Sequence, residues 1–135
     1  MIENKALEGI MKKYSILFAV YFGSYGTPYF NSESDIDIAV LSSKTLSFEE
    51  LNNLLSDLIL YHRKSEIDLV NLLDADPLLK AEIAEKGRLL YESEEGLFEA
   101  YSNFYIKQCY ELKSYIASET EKLVNRIQEF IHNER

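Results

Sequence analysis

Short apolar runs alternate with amphipathic stretches along this chain, and the alternation predicts most of its elements. Ala6, Leu7, Ile10 and Met11 recur at helical spacing within Glu3–Tyr14, which reads as a short amphipathic helix. Ile16–Phe22 is seven apolar residues in succession, the pattern of a central strand covered on both faces. Gly23 ends that run. Tyr25–Ser34, with Gly26, Pro28, Asn31, Ser32 and Ser34, has the composition of a turn and loop. Asp35–Ser42 is a second strand, and Ser47–Leu60 a helix with Leu51, Leu54, Leu55 and Leu58 on its buried face. Ser47 is its N-cap, and Glu50 completes a capping box. A third strand spans Glu66–Leu72, with Asp68 among Ile67, Leu69 and Val70. Pro77 opens a helix through Lys86 with Leu78, Leu79 and Ile83 inward and Gly87 as its stop. Arg88–Tyr91 is a short fourth strand.

From about Glu95 onward Gly96 is the only glycine and proline is absent. Leu97, Tyr101, Phe104, Leu112, Ile116, Leu123, Ile127 and Phe130 keep a helical spacing. A helix of ~35 residues measures roughly 50 Å, whereas a body of ~95 residues has a radius of gyration of about 12–13 Å. The segment therefore projects as one helix or breaks near Ser114–Thr120 and packs back as a hairpin. If it projects, Tyr101, Phe104, Tyr105, Tyr110 and Tyr115 are available to another chain. The expected division is a globular unit over 1–94 and a helical segment over 95–135 that packs on the core, on a partner, or on both.

Composition narrows the class of function. At 135 residues, 47% hydrophobic and 27% charged, the chain suits one soluble α/β domain with a substantial core. No stretch reaches the ~18–20 apolar residues of a membrane span. Met1–Lys5 lacks a basic region followed by an apolar run, so no signal peptide is expected. The lone Cys109 excludes an internal disulfide and fits a reducing cytoplasm. His62 and His132 lie too far apart in sequence to suggest a Cys/His zinc site. The net charge of −9, relieved only by Lys12-Lys13 and His62-Arg63-Lys64, argues against direct nucleic-acid binding and would suit a basic protein partner.

The candidate chemistry lies between the first two strands, in Gly23-Ser24, ten loop residues, then Asp35-Ile36-Asp37. Side chains two apart on a strand share a face, so Asp35 and Asp37 present two carboxylates together while Ile36 and Ile38 enter the core. Such a pair costs several kcal/mol without a compensating cation. Magnesium, which takes oxygen ligands, waters and substrate phosphates, is the natural one. Asp68 is a candidate third ligand, and its bland alternative is a strand residue facing solvent. With it, two magnesium ions could clamp the attacking and leaving oxygens of a phosphoryl displacement. Gly23 lets backbone approach a phosphate closely, and Ser24 adds an amide and a hydroxyl.

On these residues the chain resembles the polymerase-β-like nucleotidyltransferase superfamily. The run Asp68-Leu69-Val70-Asn71-Leu72-Leu73, then Pro77-Leu78-Leu79, Glu82-Ile83 and Gly87-Arg88-Leu89-Leu90-Tyr91-Glu92, is similar to its minimal nucleotidyltransferase (MNT) branch. The resemblance covers residues 1–92. It implies a mixed sheet of about four strands flanked by helices, binding magnesium and ATP with Asp35, Asp37 and Asp68 as metal ligands. It also implies that Asp68 helps deprotonate the acceptor. The implied role is that of an antitoxin in a hetero-oligomer with a HEPN-family ribonuclease toxin, transferring AMP to a toxin tyrosine.

Many relatives carry an arginine soon after the Gly-Ser pair, where this chain has Tyr25-Gly26-Thr27. Lys44 and Arg88 are the candidates to replace it, although each reads as solvated surface. Tyr25 and Tyr29 are candidates to stack on adenine, and Cys109 reads as a packing residue. Two other functions are compatible with the pattern. One is a non-catalytic antitoxin that masks the toxin by contact. The other is an aminoglycoside-type adenylyltransferase, for which the chain has little room to build an acceptor pocket.

Overall fold

The computed structural model describes residues 4–31 and 33–133. Its elements run α1 (Lys5–Lys13), β1 (Ile16–Phe22), β2 (Ile36–Ser42), α2 (Phe48–His62), β3 (Ile67–Asn71), α3 (Pro77–Lys86), β4 (Arg88–Glu92) and α4 (Leu97–Asn133). Glu3, where the sequence pattern begins the first helix, and Ser32 in the loop lie outside the described residues. Helix starts follow local chemistry. Asn4 caps α1 by accepting from the Leu7 amide at 3.2 Å. In α2 the capping box is complete, with the Glu50 amide on Ser47 Oγ and the Ser47 amide on Glu50 Oε1, both at 3.1 Å. Asp76 caps α3, whose first residue is Pro77.

The strands form one mixed sheet in the order β3-β2-β1-β4, with β1 antiparallel to β2 and β4 and β2 parallel to β3. Alternation sends Ile36, Ile38 and Val40 to one face, against Leu7 and Met11 of α1 and Leu54 and Leu58 of α2. The other face carries Phe18, Val20 and Ala39 against Ile83 of α3 and Leu97, Phe98 and Tyr101 of α4. Burying a side chain such as Phe18 or Leu54 stabilises the fold by about 1.5–3 kcal/mol each. The two layers leave free the sheet end at which β1 stops and β2 and β3 start.

Leu78 departs from the sequence expectation: it is 69% exposed rather than inward. Five residues separate it from the buried Ile83, which places it about 140° around the helix, whereas Leu79 shares the Ile83 face. Leu78 instead lines a cleft of 310 Å³ with Pro77, Tyr105, Gln108, Cys109 and Leu112.

Of the two arrangements open to the terminal segment, the structure has the projecting one. The 37 residues of α4 form one unbroken helix about 55 Å long. Its first turns belong to the core, where Phe98 and Tyr101 lie 5.3 and 5.1 Å from the Phe18 ring, centroid to centroid. Gly87 makes room for them, since a Cβ there would stand 2.8 Å from the Phe98 ring. From Glu111 to Asn133 every side chain is exposed, Tyr115, Ile116, Leu123 and Phe130 included. No helix among the described residues is long and apolar enough to cross a membrane.

Candidate active site

At the free end of the sheet, strand pairing places the sequence-selected residues side by side. Phe22, the last residue of β1, pairs with Asp37, and Asp37 pairs with Asp68 across the parallel β2–β3 ladder. Ile36 and Ile38 are buried on the α1–α2 side, so Asp37 points to the opposite face. Asp68 takes the same face, because Ile67 and Leu69 pack into the α1–α2 core. Asp37 is half-buried, while Asp35 and Asp68 are exposed. Burial, then Asp68, then Asp35 push the Asp37 carboxyl above its ordinary range. Both charges acting on it are negative.

Gly23 completes this corner. Its φ of +70° suits glycine, and a Cβ at this position would lie 2.2 Å from Asp37 Oδ2. The following turn is tied internally, with the Thr27 amide and hydroxyl both donating to the Ser24 carbonyl, at 2.9 and 2.5 Å. Gly23 thus stands against Asp37, with Ser24 next to it in the chain.

The donor set is all oxygen, which fits a hard divalent cation that keeps waters and substrate oxygens in its shell. Among the described residues, no group of three or more Asp, Glu, His or Cys side chains is placed so that it could hold a metal ion by itself. Any ion here would take its remaining ligands from water and substrate oxygens.

Arg88, read from sequence as solvated surface, is half-buried and reaches back to this turn. It donates from Nη2 to the Gly23 carbonyl at 3.1 Å and to the Tyr25 carbonyl. The signal for this contact is non-local, since it depends on β4 lying beside β1 with Arg88 opposite Tyr21. Lys44 is where its surface reading puts it, paired with Glu50 at 2.9 Å on α2. Of the proposed stacking residues, Tyr29 is 86% exposed. Tyr25 is packed against Tyr21, Phe30 and His62. His62 has a structural task there: Nδ1 donates to the Leu58 carbonyl at 2.9 Å, and Nε2 accepts from the Tyr21 hydroxyl at 2.7 Å.

The larger concavities lie elsewhere. A cavity of 650 Å³ is lined by Leu7, Lys12, Leu17, Leu90 and Glu92, and one of 510 Å³ lies between α1 and α2. Neither touches Asp35, Asp37 or Asp68. The first adjoins Ser15, Ile16 and Ser43, at the opposite end of the sheet. With Asp35 and Asp68 exposed, this corner is an open ledge.

A family model described as polymerase beta, nucleotidyltransferase matches residues 4–96, well over half of the chain. No curated protein matches the sequence. Among solved structures, a toxin–antitoxin complex with AMP-PNP aligns at a TM-score of 0.69 and 22% identity, over 91% of this chain and 99% of that one. A tri-AMPylated Shewanella oneidensis HEPN toxin in complex with MNT antitoxin aligns at 0.63 and 22%, over 87% and 92%. An MntA–HepT toxin–antitoxin complex aligns at 0.62 and 21%, over 87% and 93%. These likenesses extend the fold beyond the matched domain into the long helix. With the sheet order, the Gly-Ser turn and the family match in agreement, the chain belongs to the polymerase-β nucleotidyltransferase family.

Proposed function

We propose that this protein is a magnesium- and ATP-dependent adenylyltransferase that acts as an antitoxin, transferring AMP to a tyrosine hydroxyl of a cognate HEPN-family toxin. The observation that supports the reading is the pairing of Asp37 with Asp68 on one face of the sheet, with Asp35 acting on Asp37 and Gly23 against the Asp37 carboxylate. The structural neighbours support the partner and the group transferred, being toxin–antitoxin complexes, one with AMP-PNP and one with a tri-AMPylated HEPN toxin.

In this reading Asp35, Asp37 and Asp68 are the metal ligands, and Gly23 and Ser24 hold the phosphates through backbone amides and the Ser24 hydroxyl. Magnesium bound there supplies the positive charge that the triphosphate and the displacement require. Asp68, exposed on the outer strand, takes the proton from the acceptor hydroxyl. The hydroxyl oxygen bonds to the α-phosphorus, the bond from that phosphorus to the bridging oxygen breaks, and pyrophosphate leaves. The open ledge favours an acceptor delivered on the surface of a docking protein over a small molecule held in a deep pocket. Residues 1–94 carry the site, and 95–135 join the core through their first turns and leave the rest of α4 for a partner. The complex would be a cytoplasmic hetero-oligomer.

The exposed apolar side of α4 favours one second reading, an antitoxin that masks its partner by contact alone. Incubation of the purified pair with ATP labelled at the α- or the γ-phosphate separates the two. Adenylyl transfer labels the partner from the α position only, and an unlabelled but inhibited partner establishes masking.

A further inference from the structure

The Gly23–Thr27 turn is held from behind. Arg88 Nη2 donates to the carbonyls of Gly23 and Tyr25, Nη1 donates to the Lys86 carbonyl at 3.5 Å, and the Ser24 carbonyl is taken by Thr27. Three successive carbonyls thus have fixed partners within the protein. No peptide bond among the described residues is cis. In a trans peptide the N–H points opposite to the carbonyl of the same unit. The carbonyls of Gly23 and Tyr25 converge on one guanidinium, so the amides of Ser24 and Gly26 both point away from it, to the other side of the turn. Gly23 at φ +70° and Gly26 at φ +79° let the backbone take this path. A Cβ on Gly26 would lie 3.8 Å from Arg88 Nε, so the guanidinium stays close behind the turn.

We propose that Arg88 is the positioning residue of the phosphate site: its guanidinium, bound to the Gly23 and Tyr25 carbonyls, fixes the turn with the Ser24 and Gly26 amides facing away from it, free to meet the triphosphate, and places a positive charge behind them. It compensates for the arginine missing after Gly23-Ser24 without touching the nucleotide. The inference rests on the nucleotidyltransferase reading above and names how that site is held. An ammonium cannot reproduce the planar fork of a guanidinium, so the role requires arginine and not merely charge.

Calorimetry of magnesium ATP binding to the full chain tests this, with wild type, Arg88→Ala, Arg88→Lys and Thr27→Val. Loss of the charge-assisted pair should weaken binding about tenfold in Arg88→Ala. Most of that loss should persist in Arg88→Lys, and Thr27→Val should show a smaller loss of the same kind. In NMR spectra the Ser24 and Gly26 amide signals should shift on nucleotide addition in wild type and stay put in Arg88→Ala. Equal affinities in wild type and Arg88→Ala, or full recovery in Arg88→Lys, would overturn the positioning role while leaving the nucleotidyltransferase reading intact. Wild-type protein that binds no magnesium ATP overturns both. If Arg88→Ala fails to fold by circular dichroism, an unchanged affinity in Thr27→Val overturns the inference.

Discussion

The Cα of Gly23 lies against the carboxylate of Asp37, so closely that a Cβ would stand 2.2 Å from Oδ2 and 3.2 Å from Cγ. The turn that offers amides and the strand that offers a carboxylate therefore share one small volume. Gly23→Ala must displace the carboxylate and also bear a left-handed backbone costing about 1–2 kcal/mol. We expect a lower thermal midpoint and, because a 1 Å misplacement of a reacting group costs about 100-fold, a transfer rate reduced by that order. Denaturation and rate measurements on the same preparation check both.

Asp37→Asn should separate stability from activity. The Asp37 carboxyl is pushed up by burial and by Asp68 and Asp35, so the charged form opposes folding near neutral pH. The neutral amide should raise the thermal midpoint in buffer containing EDTA. Magnesium should raise the midpoint of wild type but not of the variant. Transfer should fall roughly 100-fold or more with the loss of a metal ligand. A variant less stable than wild type in EDTA would contradict the repulsion seen at this corner.

Away from the site, Asp57 links α2 to α1. It accepts from the Tyr14 hydroxyl at 2.8 Å and pairs with Lys13 at 2.8 Å. Lys13 above all holds its carboxyl below the usual range, opposed by burial and helped to a lesser degree by Tyr14. A depressed carboxyl contributes stability that is present above its unfolded pKa of about 3.9 and lost as pH falls through its folded value. Asp57→Asn should therefore be less stable than wild type at pH 7. Urea titrations should show that gap closing below about pH 4, the range set by the unfolded carboxyl. A gap that persists unchanged into acid would assign the loss to packing.

The two halves of α4 should behave differently. Phe98 packs on Phe18 and Gly87, and Phe98→Ala should cost about 2–3 kcal/mol at this partly buried site. Beyond Leu112 every described side chain of the helix is exposed, so ending the chain there should change unfolding free energy by no more than about 0.5 kcal/mol. Urea denaturation of both proteins makes the comparison.

Local pattern made much of this legible. Ile16–Phe22 reads as a buried strand because seven apolar residues need cover on both faces, and Ser47–Glu50 reads as a capping box because the chemistry is confined to one turn. Asp37 and Asp68 could be set on one face because strand alternation is strict and their apolar neighbours choose the other, whereas Asp35 precedes β2. What escaped was set by distant contacts. The bonds of Arg88 exist only because β4 pairs with β1, and the Tyr21–His62 bond spans 41 residues. Leu78 was misplaced by counting apolar residues without following the angle around α3. Whether α4 turned back was undecidable from spacing alone, since a periodic stretch without glycine or proline is compatible with either a long helix or a hairpin.

The central claim is adenylyl transfer to a protein partner, and the intact mass of that partner measures it most directly. The chain and its cognate toxin are coexpressed, with wild type compared against an Asp35→Asn/Asp37→Asn variant. The account predicts a toxin heavier by whole AMP units with wild type and of unmodified mass with the variant, the added mass residing on tyrosine. A toxin of unmodified mass that is still fully neutralised by the double variant would contradict it.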